Sequence, residues 1–575
     1  MGIPSHVYGV PNGVFATLRY RQRFEMEKKY VSLDSQDEAR GLLALLKFMQ
    51  VNIHMRSYDK EGLDLPSLDQ ICPQSRYSAM HNILLRARAI CRFVLTPFTE
   101  DEWFLATKHG TGSSIGVVYT DTSLEAKSKL PITLTENAVL PFTRYLDFDS
   151  QLKSAIIAYN SETPIGAWYE IVEGSRATTV PKSQTIDRLI AVEPTGNMFL
   201  QQGLMTMMYA RLKLAGLDLE TLPTQHRERA RIASITSREA TIDWSSASDC
   251  VSFELLRWLI PPMWFDCCNM VRSPKILIED EYVDLAMFST MGNAVTFPLE
   301  TLVFWSLAHA TRLETLGTLS HFPEWKDRHL CSVFGDDCIV PTEISGDFIE
   351  VMQSVGFLIN KEKSFIGEEG FRESCGGDYL RGYDNRPFYI KAPTSTRLSA
   401  LEPWLYIIGN RLMSKYMVCF GKRNYLYGKE FFETFFGLFR RYRLKPKVVP
   451  PDYPDDAGLK ISDDLERFDA NYRPNWSRVS VNQHGSYTFL YSHFRYRLDT
   501  RAFEELHYCR WLKQRVAGEV LPVSREEQLL RCHYLRRTSF VQDRDSRKQL
   551  SPDATQERSP WSQRRVNGGY VVSRG

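Results

Sequence analysis

Three aspartates stand where a chain could do chemistry with them. Asp336 and Asp337 follow a glycine in S-V-F-G-D-D-C-I-V-P, Ser332 to Pro341, and Asp243 closes the short β-branched stretch A-T-I-D. A Gly-Asp turn on a hairpin usually serves conformation alone, because both residues suit tight turns. Here the flanks are apolar, with Cys331, Val333 and Phe334 before the turn and Ile339 and Val340 after it. Two adjacent carboxylates near an interior are costly unless a cation offsets them. Sheet pairing that brought Asp243 beside the turn would assemble three hard oxygen donors. That set suits Mg²⁺, which keeps water and substrate phosphate in its other positions. Two such ions about 3.5–4 Å apart stabilise the attacking and leaving oxygens of an in-line phosphoryl displacement.

Phosphate would call for basic groups. T-T-V-P-K-S-Q-T-I-D-R-L-I-A-V-E-P places Lys182 and Arg188 around a polar loop, although a solvated loop is the commoner reason for such a pair. Arg227, Arg229 and Arg231 in Q-H-R-E-R-A-R read as one face of an exposed helix. Between the acids lies F-S-T-M-G-N-A-V-T-F-P-L-E-T-L, where Ser289 and other small polar residues surround Gly292. Such a loop lets a substrate approach the backbone. Asn293 and Thr296 are expected to be exposed there and able to hydrogen-bond a ribose; helix N-terminal capping accounts for them equally.

The elements that must position these groups follow from local pattern. A-T-I-D is a strand end, and Val251, Leu255, Trp258 and Leu259 recur at helical spacing until Pro261-Pro262 stops the run. A helix is expected through Leu302, Val303 and Leu307, with Pro298 in its first turn, since an interior proline costs about 3 kcal/mol. The acidic turn joins two strands. A further helix begins near Asp347, turns Phe348, Met352 and Val355 inward, and ends at Gly356. Strand, helix, helix, hairpin, helix implies an α/β sheet layer backed by helices.

The 575 residues exceed one small core and suggest several domains or one multi-lobed body. A net charge of +2 means that a polyanionic partner must be met by local basic surfaces. Eleven cysteines include no C-x-x-C pair, so buried free thiols in a reducing compartment are expected. No basic region followed by an apolar run opens the chain, and no apolar stretch is long enough to span a bilayer. These features point to a soluble intracellular protein. The Pro- and Asp-rich passage from Arg443 to Gly458 is a candidate boundary. From Arg531 onward ten Lys/Arg face four Asp/Glu, a solvated tail or a weak RNA-contacting one. Aromatic and Arg interleaving from Tyr487 to Arg497 reads as a strand with alternating faces, or as a surface that stacks bases.

Taken in order, V-P-K…D-R-x-I-A-V-E-P, D-W-S-S-A-S-D, S-T-M-G-N-x-x-T-F-x-L-E, F-G-D-D and F-R-E-S-C-G closely resemble the replicase subunits of leviviruses, small positive-strand RNA phages of the Qβ type. The resemblance runs strongly from about Thr179 to Lys391, including R-P-F-Y-I-K at Arg386–Lys391. Five ordered motifs are specific where any one would be weak. The resemblance implies an RNA-directed RNA polymerase of the right-handed α/β (α+β) type, its palm sheet backed by helices. Fingers or a bridging region would occupy 1–140, fingers with the triphosphate loop 141–239, and the catalytic core 229–369. The palm end and thumb would follow at 370–450, a C-terminal region at 451–540 and a flexible basic tail at 541–575.

It also implies roles. Asp243, Asp336 and Asp337 match the metal-binding acids, with the Trp244 backbone carbonyl as a further ligand to two Mg²⁺ ions, for which Mn²⁺ substitutes. Lys182 and Arg188 match finger positions that contact the incoming triphosphate. Ser289, Gly292 and Asn293 match the loop supporting template and nascent pair, and either Ser248 or Asp249 senses the 2′-hydroxyl. Phe334 stands where tyrosine is usual, and Pro298 where an acid is usual. Implied partners are template and product RNA, ribonucleoside triphosphates, host elongation factors Tu and Ts and the largest small-subunit ribosomal protein, in the cytoplasm of an infected bacterium. A reverse transcriptase shares the palm acids, and a non-catalytic RNA-binding protein could keep the fold; the intact set of acids and cations argues against the latter.

Overall fold

The structure is a computed structural model that describes residues 38–58 and 79–420 apart from short gaps, with shorter stretches before 67 and after 436. Two compact units divide the chain. One comprises Asp37–Arg386 with Thr500–Arg536, the other Met1–Gln36, Pro387–Asp499 and Arg537–Gly575. All the candidate site residues lie in the first.

That unit is built on helices α1 (Glu38–Arg56), α2 (Ala79–Leu95), α3 (Glu136–Phe148), α4 (Thr195–Ala215) and α5 (Leu222–Thr236). It continues with α6 (Phe253–Leu259), α7 (Pro262–Val271), α8 (Thr296–Thr315) and α9 (Ser345–Ser354). Every residue from Leu299 to Thr311 of α8 is buried, so this helix is surrounded on all sides and forms the centre of the core. Pro298 sits in its first turn, where a missing N–H costs nothing. Ser252 caps α6 by accepting the Leu255 N–H at 3.2 Å, and Pro261-Pro262 ends that helix and opens α7. The seven described cysteines are free thiols, six of them buried.

The strands that bear on the site are β1 (Ser175–Pro181), β2 (Asp187–Val192), β3 (Glu239–Ile242), β4 (Trp244–Ser245), β5 (Lys275–Ile278) and β6 (Glu281–Asp284). They go on as β7 (Ser332–Phe334), β8 (Asp337–Pro341), β9 (Leu358–Ile359), β10 (Phe371–Ser374), β11 (Gly377–Leu380) and β12 (Tyr383–Asp384). A central antiparallel sheet has the order β3-β8-β7, and a second sheet the order β2-β1-β5-β6. Behind the central sheet the Trp305 indole N–H donates to the Cys331 carbonyl at 3.1 Å, tying α8 to the entry of β7. Buried His226 of α5 bridges Ser332 Oγ at 2.8 Å and Ser374 Oγ at 3.0 Å, and so braces β7 against β10. Buried Arg372 donates to the Glu239 carbonyl at 2.7 Å and fixes the start of β3.

In the second unit α10 (Leu398–Phe420) is followed by strands. Tyr487–Phe489 and Phe494–Leu498 fall in the segment read from its aromatic and Arg interleaving, and Trp561–Val566 pairs with Tyr570–Arg574 within the basic C-terminal stretch. Val541 and Gln542 end the strand Arg537–Gln542, and the remaining residues of 541–575 lie outside the described residues.

Gly335 opens the acidic turn at φ +60°, and a Cβ there would lie 2.5 Å from the Phe297 ring. Gly335→Ala should therefore destabilise the first unit by about 1–3 kcal/mol, the usual cost of a strained left-handed residue. Calorimetry should show a lower melting temperature; an unchanged one would mean that the turn relaxes without cost.

Candidate active site

The register of the central sheet assembles the acids. Ile242 pairs with Cys338, Thr241 with Ile339 and Ala240 with Val340. Carried one residue further, that pairing sets Asp243 across from Asp337, and opposed residues of an antiparallel pair direct their side chains to one face. On the other side Asp337 pairs with Phe334, leaving Gly335 and Asp336 as a two-residue turn. Glycine at the first central position with positive φ is the pattern of a type II′ hairpin. The short β4–β9 pairing then brings Asn360 beside Asp243: its N–H donates to the Asp243 carbonyl at 2.9 Å and its side chain to Oδ2 at 2.6 Å.

Crowding and mutual repulsion mark all three acids. Burial first, then the charges of Asp336 and Asp243, push Asp337 up to about 7. The Cys375 N–H, at the turn after β10, donates to its Oδ2 at 3.1 Å. Burial also raises Asp336, although as the turn residue it reaches solvent by accessible surface. Asp243 is raised by burial and by Asp336, against the pull of Lys363, Asn360 and Lys182. Lys363 Nζ stands 4.0 Å from Asp243 Oδ1 and 3.9 Å from Glu373 Oε1. Behind them Glu300 of α8 is buried, and burial together with the charges of Asp336, Asp249 and Asp337 raises its carboxyl well above the ordinary carboxylate range.

Hard carboxylate oxygens carrying more negative charge than Lys363 balances fit a divalent cation. Among the described residues no group of three His, Cys, Asp or Glu is arranged to hold a metal ion. The acids thus share a face and a field without closing on a single point. The Trp244 backbone is held by the β4–β9 ladder, while its buried ring packs on Phe304, Phe348 and Phe357.

Cations face this cluster. Lys182 follows β1, and Arg188 of β2 pairs with Val180. Neither side chain makes a hydrogen bond or an ion pair among the described residues. Lys182 is exposed by accessible surface, yet protein crowds it enough to lower its pKa, with Arg188, Lys47 and Lys363 adding to the effect. Lys47 belongs to α1, which Arg40 fastens to β2 through Asp187 at 3.2 Å.

The Ser289–Thr296 segment departs from expectation. Asn293 and Thr296, expected to be exposed, are 6% and 5% accessible. Asn293 donates to Glu193 Oε1 at 3.4 Å, and Thr296 Oγ1 to the Thr290 carbonyl at 2.9 Å. Ser289 is buried too. Gly292 has φ +126°, and a Cβ would sit 2.0 Å from the Ala191 carbonyl oxygen, so its bare Cα serves the approach of this loop to β2. The reason is tertiary: the loop is wedged between β2 and the start of α8. Ser248 and Asp249 share a 3-10 turn, and Asp249 accepts the Met291 N–H at 3.4 Å. Burial raises Asp249 to about 7, while Lys47 and Arg188 pull it down. Arg229 is used structurally, pairing with Glu239 and the carbonyls of His329 and Leu330.

Lys47, Glu193, Glu300, Asn360, Lys363 and the Cys375 N–H escaped the sequence reading of roles. N-K-E-K-S after an apolar stretch is ordinary loop composition, and only the β4–β9 pairing shows what it faces. F-R-E-S-C-G offered a signal as a motif, but its task of holding Asp337 appears only in the fold.

Paired acids on a hairpin, a third acid across from them and cations that form no ion pair among the described residues make up the candidate active site. The chain belongs to the RNA replicase beta-chain family, which it matches over residues 15–413, and it is an RNA-directed RNA polymerase. It is 31% identical to the RNA-directed RNA polymerase beta chain of Enterobacteria phage fr over 68% of this chain and 67% of that one. The identity is 32% to the beta chain of Enterobacteria phage GA, over 65% and 66%. With the RNA-directed RNA polymerase subunit beta of Escherichia virus Qbeta it is 41%, over 38% and 35%. The chain thus spans about two thirds of the fr and GA proteins and about a third of the Qbeta one. Among solved structures it is similar to the BmCPV RNA-dependent RNA polymerase, at 10% identity and a TM-score of 0.34 over 66% of this chain and 36% of that one.

Glu193 accepts from Ser273 Oγ at 2.6 Å and is pushed up to about 7 by burial, against the pull of its hydrogen bonds. A carboxyl raised on folding stabilises while protonated, and that contribution fades as pH climbs from 4.5 toward about 7. Glu193→Gln, neutral throughout, should gain on wild type by on the order of 3 kcal/mol between about pH 5 and pH 8. Melting temperatures of both proteins at the two pH values test this; a constant difference would show that Glu193 does not titrate there.

Proposed function

We propose that Asp243, Asp336 and Asp337 carry the nucleotidyl transfer by which this polymerase copies and transcribes a positive-strand RNA phage genome. The observation that supports it most is the β3–β8 register, which sets Asp243 across from Asp337. Two divalent ions, Mg²⁺ with Mn²⁺ as a substitute, held by these carboxylates and the Trp244 carbonyl, would lower the pKa of the primer 3′-hydroxyl and neutralise the leaving pyrophosphate. The chain's own residues do the rest. Lys182 and Arg188, whose side chains form no ion pair among the described residues, bind the triphosphate oxygens. Asp249, between those cations and the Met291 N–H, is better placed than Ser248 to meet a ribose hydroxyl. Ser289, Gly292, Asn293 and Thr296 hold that wall in place from inside. Asn360 and the Cys375 N–H orient the acids.

The fingers, palm and thumb spans given above, and assembly with elongation factors Tu and Ts and the largest small-subunit ribosomal protein in the bacterial cytoplasm, belong to this reading through resemblance. No helix among the described residues is long and apolar enough to cross a membrane. Co-purification from an infected host tests the assembly.

The chemistry is tested by extending an RNA primer on an RNA template. Asp336→Asn should lose about 4 kcal/mol of transition-state stabilisation, about a thousand-fold in rate, at a nearly unchanged melting temperature. Lys182→Ala should raise KM for the nucleotide about tenfold, as expected for one charge-assisted hydrogen bond. Full activity in Asp336→Asn, or preferential use of deoxyribonucleotides by wild type, would refute the assignment.

A further inference from the structure

Away from the acids, a cavity of about 740 Å³ opens where α2 ends and α4 ends, with Arg328 also in its lining. Gln201, near the start of α4, accepts the Ala294 N–H beside the active-site loop at 3.1 Å. Arg211, in the last turns of α4, lines the cavity. At 1.5 Å per residue the helix carries the chain about 24 Å between Thr195 and Arg211, so the two places are distinct.

Three arginines line it: Arg92, Arg211 and Arg328. The Nε of each is buried without an acceptor among the described residues. Arg211 spends one terminal nitrogen on Glu102 Oε2 at 2.6 Å and the Pro97 carbonyl at 3.1 Å. Arg92 and Arg328 face no carboxylate among the described residues. Three guanidinium groups with one carboxylate among them, in a concave site, are short of negative charge, and buried donors without acceptors are a standing cost that an anion would relieve.

Exposed rings flank these charges. Phe93, which lines the cavity, is 61% accessible, and Trp325 is 66% accessible. The Arg328 guanidinium lies 4.5 Å from the Phe322 centroid and 4.6 Å from that of Trp325. Guanidinium beside exposed aromatic faces is how proteins hold single-stranded nucleic acid, phosphate on the cation and base on the ring. An acidic peptide would use the arginines and leave the rings in water.

We propose that this cavity is a second RNA site, in which Arg92 and Arg328 hold a phosphodiester of a single strand while a base stacks on Phe93 or Trp325. The proposal goes beyond the active-site reading and takes from it only that RNA is at hand.

The test uses the full chain and a labelled single-stranded oligoribonucleotide. R92Q/R328Q should weaken binding about tenfold and reduce the slope of log affinity against log salt by about 0.7, the value for one neutralised phosphate on a single strand. F93A, at an exposed position, should weaken binding about tenfold with the slope unchanged, because stacking releases no counterions. A 4-thiouridine oligonucleotide should photo-crosslink to the Phe93 or Trp325 peptide. Wild-type affinity and slope in both variants, with no crosslink to either peptide, would overturn the site. So would a polyglutamate peptide that binds wild type but not R92Q/R328Q while RNA affinity stays constant, since the cavity would then take an acidic protein. Primer extension by wild type, run alongside, separates this failure from failure of the polymerase reading: extension without cavity-dependent binding overturns the second site alone.

Discussion

Everything at the candidate active site depends on the pairing register of β3 on β8. Side chains alternate faces along a strand, so a slip of one residue would turn Asp243 away from Asp337 and send Ile242 to the acidic side. Several interactions away from the carboxylates fix that register. Arg372 grips the Glu239 carbonyl at the start of β3, Thr241 exchanges backbone hydrogen bonds with Phe365 at 3.1 and 2.8 Å, and His226 braces β7 from behind. The buried face adds its own constraint, because Ala240, Ile242, Cys338 and Val340 all belong to the core. Precision among the acids is thus supplied by apolar packing and backbone pairing, neither of which carries charge.

The same arrangement explains how a repulsive cluster persists. Asp337 and Asp249 are both pushed to about 7, and burial raises Glu300 well above the ordinary carboxylate range, so part of the negative charge of Asp337 and Asp249 is absent near neutral pH unless a cation arrives. Lys363 takes up some of what remains, positioned by the β9 connection next to Asn360. Lys182, Arg188 and Lys47 stand opposite, repelling one another as the acids do. Two like-charged sets of opposite sign close to one another suit a substrate that carries both a bound cation and a polyphosphate.

Much of this was legible from the chain. The strand ending in Asp243, the hairpin at Gly335, the helix stopped by Pro261-Pro262 and the helix opened by Pro298 were all readable, because turn and cap chemistry is local. The inward set Phe348, Met352 and Val355 followed from helical spacing and is buried. Asn293 and Thr296 misled for an instructive reason. Small polar residues before a helix suit solvent and suit an internal hydrogen-bond network equally, and Glu193, a hundred residues away, decides between them. Gly292 was read as a place where a substrate approaches the backbone, whereas the group that comes close to it is the Ala191 carbonyl of this chain.

The sequence by itself determined which residue types were available for chemistry and which short elements carried them, since capping, turn geometry and hydrophobic period act within a few residues. Five motifs in order also determined the family. Only the tertiary structure decided which groups meet: Asp243 with Asn360 and Lys363, Asp337 with the Cys375 N–H, Asp249 with Met291. Those contacts join residues 38 to 120 positions apart. Their formation depends on strand pairing and core packing, which no local pattern encodes.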